Sequence, residues 1–193
     1  MIVSTLVSSV ALAGPSILLA EAALSFPRLT DSHGSAAKRS ATDQNSWWRN
    51  QSQVGRRHAV VETALRDMGK LHHIPSSKEW VKSIVHSASQ GLVDIPMNEK
   101  NENHFRWAPS ASVATYPHRS LSDVKPGMII QMSWFYPDGR LFPHTAIVVR
   151  AEGSGLVWAD CGWQNRGRVA EHRVLDSYFK KAVGERYTVY EVV

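Results

Sequence analysis

At Val124 the hydrophobic period of this 193-residue chain changes, and that change limits the architectures open to it. Before it, Val61, Ala64, Leu65, Met68 and Leu71 recur at three- and four-residue steps. They predict a helix from His58 that stops ahead of Pro75. A second helix follows, with Trp80, Val81, Ile84, Val85 and Ala88 on one face and Gly91 as its stop. Ser76 and Glu79 have the spacing of a capping box, which makes Ser76 the N-cap and Ser77 the first helical residue. Residues 92–120 carry three prolines and little periodicity, and read as irregular.

After Val124 the pattern is that of strands. GMIIQMSW (127–134) runs into a turn at Pro137-Asp138-Gly139. HTAIVVRAEG (144–153) and GLVWADCGW (155–163) are joined across a short Gly-Ser-Gly turn. RVAEHRVL alternates as a fourth strand, DSYFKKAVG is a short helix, and RYTVYEVV closes the chain as a fifth strand. The expected class is α+β: two N-terminal helices followed by a small antiparallel β-sheet, over residues 58–193.

Ahead of that domain, residues 27–57 are polar and read as a linker. Trp47-Trp48 stands out within it, as a hydrophobic latch onto the domain or as a substrate-facing pair. Residues 1–26 hold no charge before Glu21, and Ala20-Glu21-Ala22 offers a small-x-small cleavage pattern. This predicts a secretory signal, with an uncleaved anchor kinked at Pro15 as the alternative. The expected location is therefore secreted or envelope-facing, and any membrane contact runs through this segment.

With 43% apolar and 20% charged residues the chain can build an ordinary core. A formal charge of +5 suits anionic partners, but the chain lacks a Lys/Arg run of the length a nucleic-acid arm needs. Nucleic acid is therefore not an expected partner. Cys161 is the single cysteine, which excludes an intrachain disulfide and a cysteine-pair zinc site. The adjacent His72 and His73 would project about 100° apart on a helix, so they do not form a metal site. No cofactor or metal is expected, and the chain reads as a monomer.

Four segments carry a resemblance: SSKEWVKSIV, VKPGMIIQM, PHTAIVV and WADCGWQ, in that order. Together they resemble the papain-like peptidoglycan amidases and endopeptidases of the CHAP and NlpC/P60 group. The resemblance covers roughly residues 58–193 and rests on the order of short motifs. It implies a papain-like core that hydrolyses amide bonds of peptidoglycan peptides through an acyl-enzyme. Carried over by position, Ser77 stands where the nucleophilic cysteine would be, His144 is the base and Asp160 orients it. The Ser77 backbone N–H would be an oxyanion donor.

Three positions depart from the group's pattern. Gly127-Met128 stands where Gly-Asp is usual, Gly162 occupies the other candidate place for the orienting residue, and Ser77 replaces the cysteine. The last departure matters most. A helix N-terminus favours a thiolate, but its ~0.3–1 kcal/mol cannot ionise a serine hydroxyl. Ser77 would need His144 as a true general base. Two functions follow: a degenerate hydrolase, or a non-catalytic module that binds peptidoglycan, another anionic wall polymer or a protein partner.

Cys161 is not a convincing substitute nucleophile. Strand alternation puts Trp158, Asp160 and Gly162 on one face and Cys161 on the other with Val157 and Ala159. It reads as a small buried hydrophobe. Trp80 reads as core; Trp134 and Trp163, near turns, read as core or rim packing, with a substrate groove as the alternative.

Overall fold

In the computed structural model of the chain, the strand patterns after Val124 pair into one antiparallel sheet. The structure describes residues 41–72, 76–95, 112–117, 120–135, 138–139, 141–162, 166–179 and 187–193. Three helices come first: α1 (Ala41–Asn50), α2 (Gln53–Arg66) and α3 (Ser77–Ala88). Next are β1 (Val113–Thr115), a 3-10 turn at Leu121–Asp123, β2 (Ile129–Phe135), β3 (Leu141–Glu152) and β4 (Gly155–Cys161). Strand β5 (Val169–Leu175), helix α4 (Asp176–Phe179) and β6 (Thr188–Val192) complete the described chain. Strand order in the sheet is β1-β6-β2-β3-β4-β5, and every pairing is antiparallel.

Strands β2 to β4 are covered on both faces, which explains their nearly unbroken apolar runs. On one face, Ile129, Ile147, Val157 and Ala159 pack against Trp80, Val81, Ile84 and Val85 of α3, together with Val60 and Ala64 of α2. On the other, Met128, Ile130, Ala146, Val148 and Trp158 pack against Leu121, Val124, Phe179 and Tyr187. The register agrees: Ile147 faces Ala159 and Val148 faces Trp158.

Helix α2 is fastened to the sheet at its start. Gln53 Nε2 donates to Val192 O at 2.6 Å, and Arg57 pairs with Glu191 at 2.7 Å. The turn into β2 comes against the same helix at Gly127. Its φ is 85°, and a Cβ there would lie 2.4 Å from Arg57 O, so both the conformation and the closeness require glycine.

The α+β class holds, with one helix and one strand more than expected and a shift in the core stripe of α2. The segment read as a linker contains α1 and the first residues of α2, and the compact unit spans Lys38–Val193. Composition concealed this because the run is polar; among the described side chains of α1, Trp48, 3% exposed, is the one buried in the core. Ser52 supplies the start of α2, its Oγ accepting from Gly55 N–H at 3.1 Å. The expected stripe holds in part: Ala64 is buried and Val61 and Met68 pack partly buried against the core, but Val60 joins them and Leu65 is 41% exposed. Helix α2 also ends at Arg66, so Leu71, 54% exposed, lies beyond it and bridges to Arg168. A sixth strand, β1, lies inside the stretch read as irregular, where Val113 pairs with Val192 near the far end of the chain.

The second helix starts and stops as read. Ser76 Oγ accepts from Glu79 N–H at 3.3 Å, Ser77 is the first helical residue, and Gly91 adopts φ 87° after the end. Residues 1–26, His73, Trp107, Trp163 and the side chain of Trp134 lie outside the described residues. Among the described residues no helix is long and apolar enough to cross a membrane.

Trp48 tests whether α1 belongs to the domain. Trp48→Ala is expected to cost about 3–5 kcal/mol in denaturant unfolding. Trp48→Phe should cost far less, because it keeps an aromatic ring and removes an indole N–H buried without an acceptor among the described residues.

Candidate functional site

The site is organised by the two-residue alternation of β3. Val148 exchanges backbone hydrogen bonds toward β2, donating to Met128 O at 2.9 Å and accepting from Gly127 N–H at 2.7 Å. Three residues earlier, the Thr145 backbone therefore points the opposite way, toward β4. There the ladder with β4 has already ended, at Ile147↔Ala159. The N-terminus of α3 reaches this opening, and Ser77 Oγ accepts from Thr145 N–H at 3.3 Å. The Thr145 side chain turns to β2, where its Oγ1 is 3.1 Å from Gln131 Nε2.

His144 lies one residue away and faces the other side of the sheet. It shares parity with Ala146 and Val148, and its ring is 5.6 Å from that of Trp158. Asp160, two residues after Trp158 on β4, is on the same face and fully buried. His144 Nε2 is 3.3 Å from Asp160 Oδ2, with the imidazole 2% exposed. From β5, which pairs His172 with Trp158, a second imidazole approaches the same oxygen at 3.5 Å. Two imidazoles thus converge on one buried carboxyl oxygen, at ion-pair rather than hydrogen-bond geometry. Tyr178 completes the surroundings, packed edge-on against Trp158 at 5.9 Å. Burial first, and then the Asp160 carboxyl, push its phenol above the ordinary value.

The structure therefore brings His144 and Asp160 together and holds Ser77 apart from them. Among the described residues, the hydrogen bond of the Ser77 side chain is to Thr145 N–H and not to the imidazole. Helix α3 packs on the face opposite the His144 ring. A serine nucleophile must share its proton with the base, and this arrangement provides no such contact.

Cys161 shares a face with Val157 and Ala159, as alternation predicts, and that face is the one toward α3; its thiol donates to Gly167 O at 3.2 Å. Burial pushes its thiol up, and the Asp160 and Asp67 carboxyls add to the shift, so it carries little of the thiolate a nucleophile needs.

Two groups escaped sequence reading. His172 could have been found by aligning the alternation of VAEHRVL with that of GLVWADC across their short connection. The second group surrounds Asp67, just past α2. Its Oδ2 takes the indole N–H of Trp80 at 2.9 Å and lies 2.7 Å from His72 Nε2; its Oδ1 is 2.8 Å from Lys70 Nζ. His72 is thus a partner of Asp67. Among the described residues no group of His, Cys, Asp and Glu is arranged to hold a metal ion, the His144–Asp160–His172 trio included.

Burial alone would raise the Asp67 carboxyl, but its contacts with Lys70, Trp80 and His72 outweigh that and hold it below the usual carboxylate range. Its stabilisation is therefore fully present above the unfolded value of about 3.9 and is lost as pH falls through the lower folded value. Urea midpoints measured from neutral pH into acid should fall in that window, and Asp67→Asn should flatten the fall. At the buried trio, Asp160→Ala should cost about 3–5 kcal/mol of stability by removing the group both imidazoles face.

Comparisons with protein-family models, curated proteins and solved structures return no match to this chain.

Proposed function

We propose that the chain is a papain-like cell-wall amidase domain that has lost hydrolysis and acts as a non-catalytic binding module for wall polymer. One observation carries the loss of catalysis. Ser77 Oγ accepts from Thr145 N–H, while the His144 ring, 3% exposed as a residue, belongs to the opposite face of the sheet. A hydroxyl that serves as acceptor for a strand N–H is a structural strut.

The parts of the implied site support descent from such an enzyme. Ser77 opens a helix N-terminus, His144 lies on the strand expected for the base, and Asp160 meets its Nε2 from the next strand. The partner class follows from the implied ancestry and from the formal charge of +5, which favours a polyanionic wall. An envelope-facing location belongs to the same proposal, through the apolar segment at residues 1–26.

The experiment incubates the folded protein with purified sacculi and reads binding and released products separately. Sacculi should pull the protein down, with no release of peptide or new amine at any pH. Ser77→Ala should bind equally well yet lose about 1–3 kcal/mol of stability, the cost of leaving Thr145 N–H without its acceptor. Ser77→Cys should gain no thiol-dependent hydrolysis. Turnover by the wild-type chain that Ser77→Ala abolishes would overturn the proposal.

A further inference from the structure

Away from the sheet, a cleft of about 720 Å³ runs along the outer side of α2. Gly55, Ala59, Glu62 and Arg66 line it on successive turns. The end of α1 adds Trp47 and Gln51, and the end of α3 adds Ser87 and Gln90. Its size is that of a small-molecule site. The geometry points to a binding site for a neutral glycan built of N-acetylated sugar rings, with Trp47 as the stacking platform.

Three observations carry this. First, Trp47 is half-buried and held in place: its ring lies 6.1 Å from that of Trp48, which is locked in the core, and the Arg56 guanidinium sits over Trp48. A rigid indole with one accessible part suits the apolar face of a sugar ring. Second, the charges in the cleft cancel. Glu62 is flanked by Arg66 at 3.4 Å and by His58 at 3.9 Å, which leaves little net charge to draw an anionic polymer. The remaining polar side chains of the lining are amides and hydroxyls, beside the apolar Val54, Ala59 and Ala88. Gln51 and Gln90 can each pair reciprocally with an acetamido group, donor to acceptor and acceptor to donor.

Third, Gln90 occupies the cleft in an unfavourable backbone state. Its φ is 58°, in the left-handed region where the position after a helix normally takes glycine or asparagine. Gly91 beside it is also left-handed, with φ 87°. Glycine at 90 would relieve the strain and remove the amide from the cleft. Retaining a long amide side chain there is the kind of local cost that marks functional positions.

The inference deepens the wall-binding reading by naming a ligand class and a site, and it rests on that reading for the source of the glycan. The test titrates the full chain with the tetramer of N-acetylglucosamine, following affinity by calorimetry and the Trp47 indole N–H by NMR. The Trp47 signal should shift, and the affinity should be insensitive to salt. Trp47→Ala should weaken binding about tenfold. Because that change also removes packing, Gln90→Gly is the sharper variant: binding should fall about fivefold while the melting temperature rises. Unchanged affinity in both variants, or binding that a polyglutamate competes away, overturns the site. Sacculus binding that persists undiminished in both variants also overturns it and leaves the wall-binding reading standing. Tetramer binding in the cleft by a protein that ignores sacculi upholds the site and removes that reading.

Discussion

Strand β3 lies inside the sheet with both of its faces covered, and its alternation decides what every neighbouring residue can do. Ile147 and Val149 face the helices, so Thr145 does too; Ala146 and Val148 face the second core, so His144 does too. A side-chain period of two allows no compromise between those faces. Moving the His144 ring to the α3 side would require a one-residue slip of the strand. That slip would expel Ile147 from one core and Val148 from the other. Packing on this scale outweighs any single contact to Ser77, and it fixes the separation of hydroxyl and imidazole.

The trio around Asp160 sets a nearly buried imidazole and a fully buried carboxyl beside each other. A buried carboxyl group is expensive to desolvate, and Asp160 Oδ2 lies 3.3 and 3.5 Å from two imidazole nitrogens, at ion-pair distance but without hydrogen-bond geometry to either. Such a group gives little stability relative to an apolar replacement, but it penalises wrong registers strongly. His144, Asp160 and His172 come from three consecutive strands. A register error at either hairpin would leave the Asp160 carboxyl without one of them. The trio therefore works as a register pin for β3, β4 and β5.

Much of this was readable in the residues. The change of period at Val124 marks the boundary between helices and sheet, and the alternation of GLVWADC separates Asp160 from Cys161 correctly. The cap at Ser76 is local, and local chemistry is legible. The failures have physical causes. Helix α1 is held by Trp48 within a polar run, so its composition resembles a linker. Strand β1 is three residues long and owes its existence to β6 at the far end of the chain, a pairing no local window contains. The facing of His144 was hidden for a different reason. Both faces of β3 are apolar, so periodicity gives the two sets of side chains without saying which set meets α3.

Position 77 gathers these points. A nucleophile needs its reactive lone pair open to substrate and its proton directed to a base. A strut needs that lone pair engaged with a donor. At the opening between β3 and β4, Thr145 N–H has lost its strand partner and requires an acceptor from elsewhere. Sulfur accepts weakly and oxygen accepts well. Cysteine at the start of α3 would suit chemistry and hold the strand poorly, whereas serine holds the strand at the expense of chemistry. The residue present is the one that the structural demand at Thr145 N–H selects.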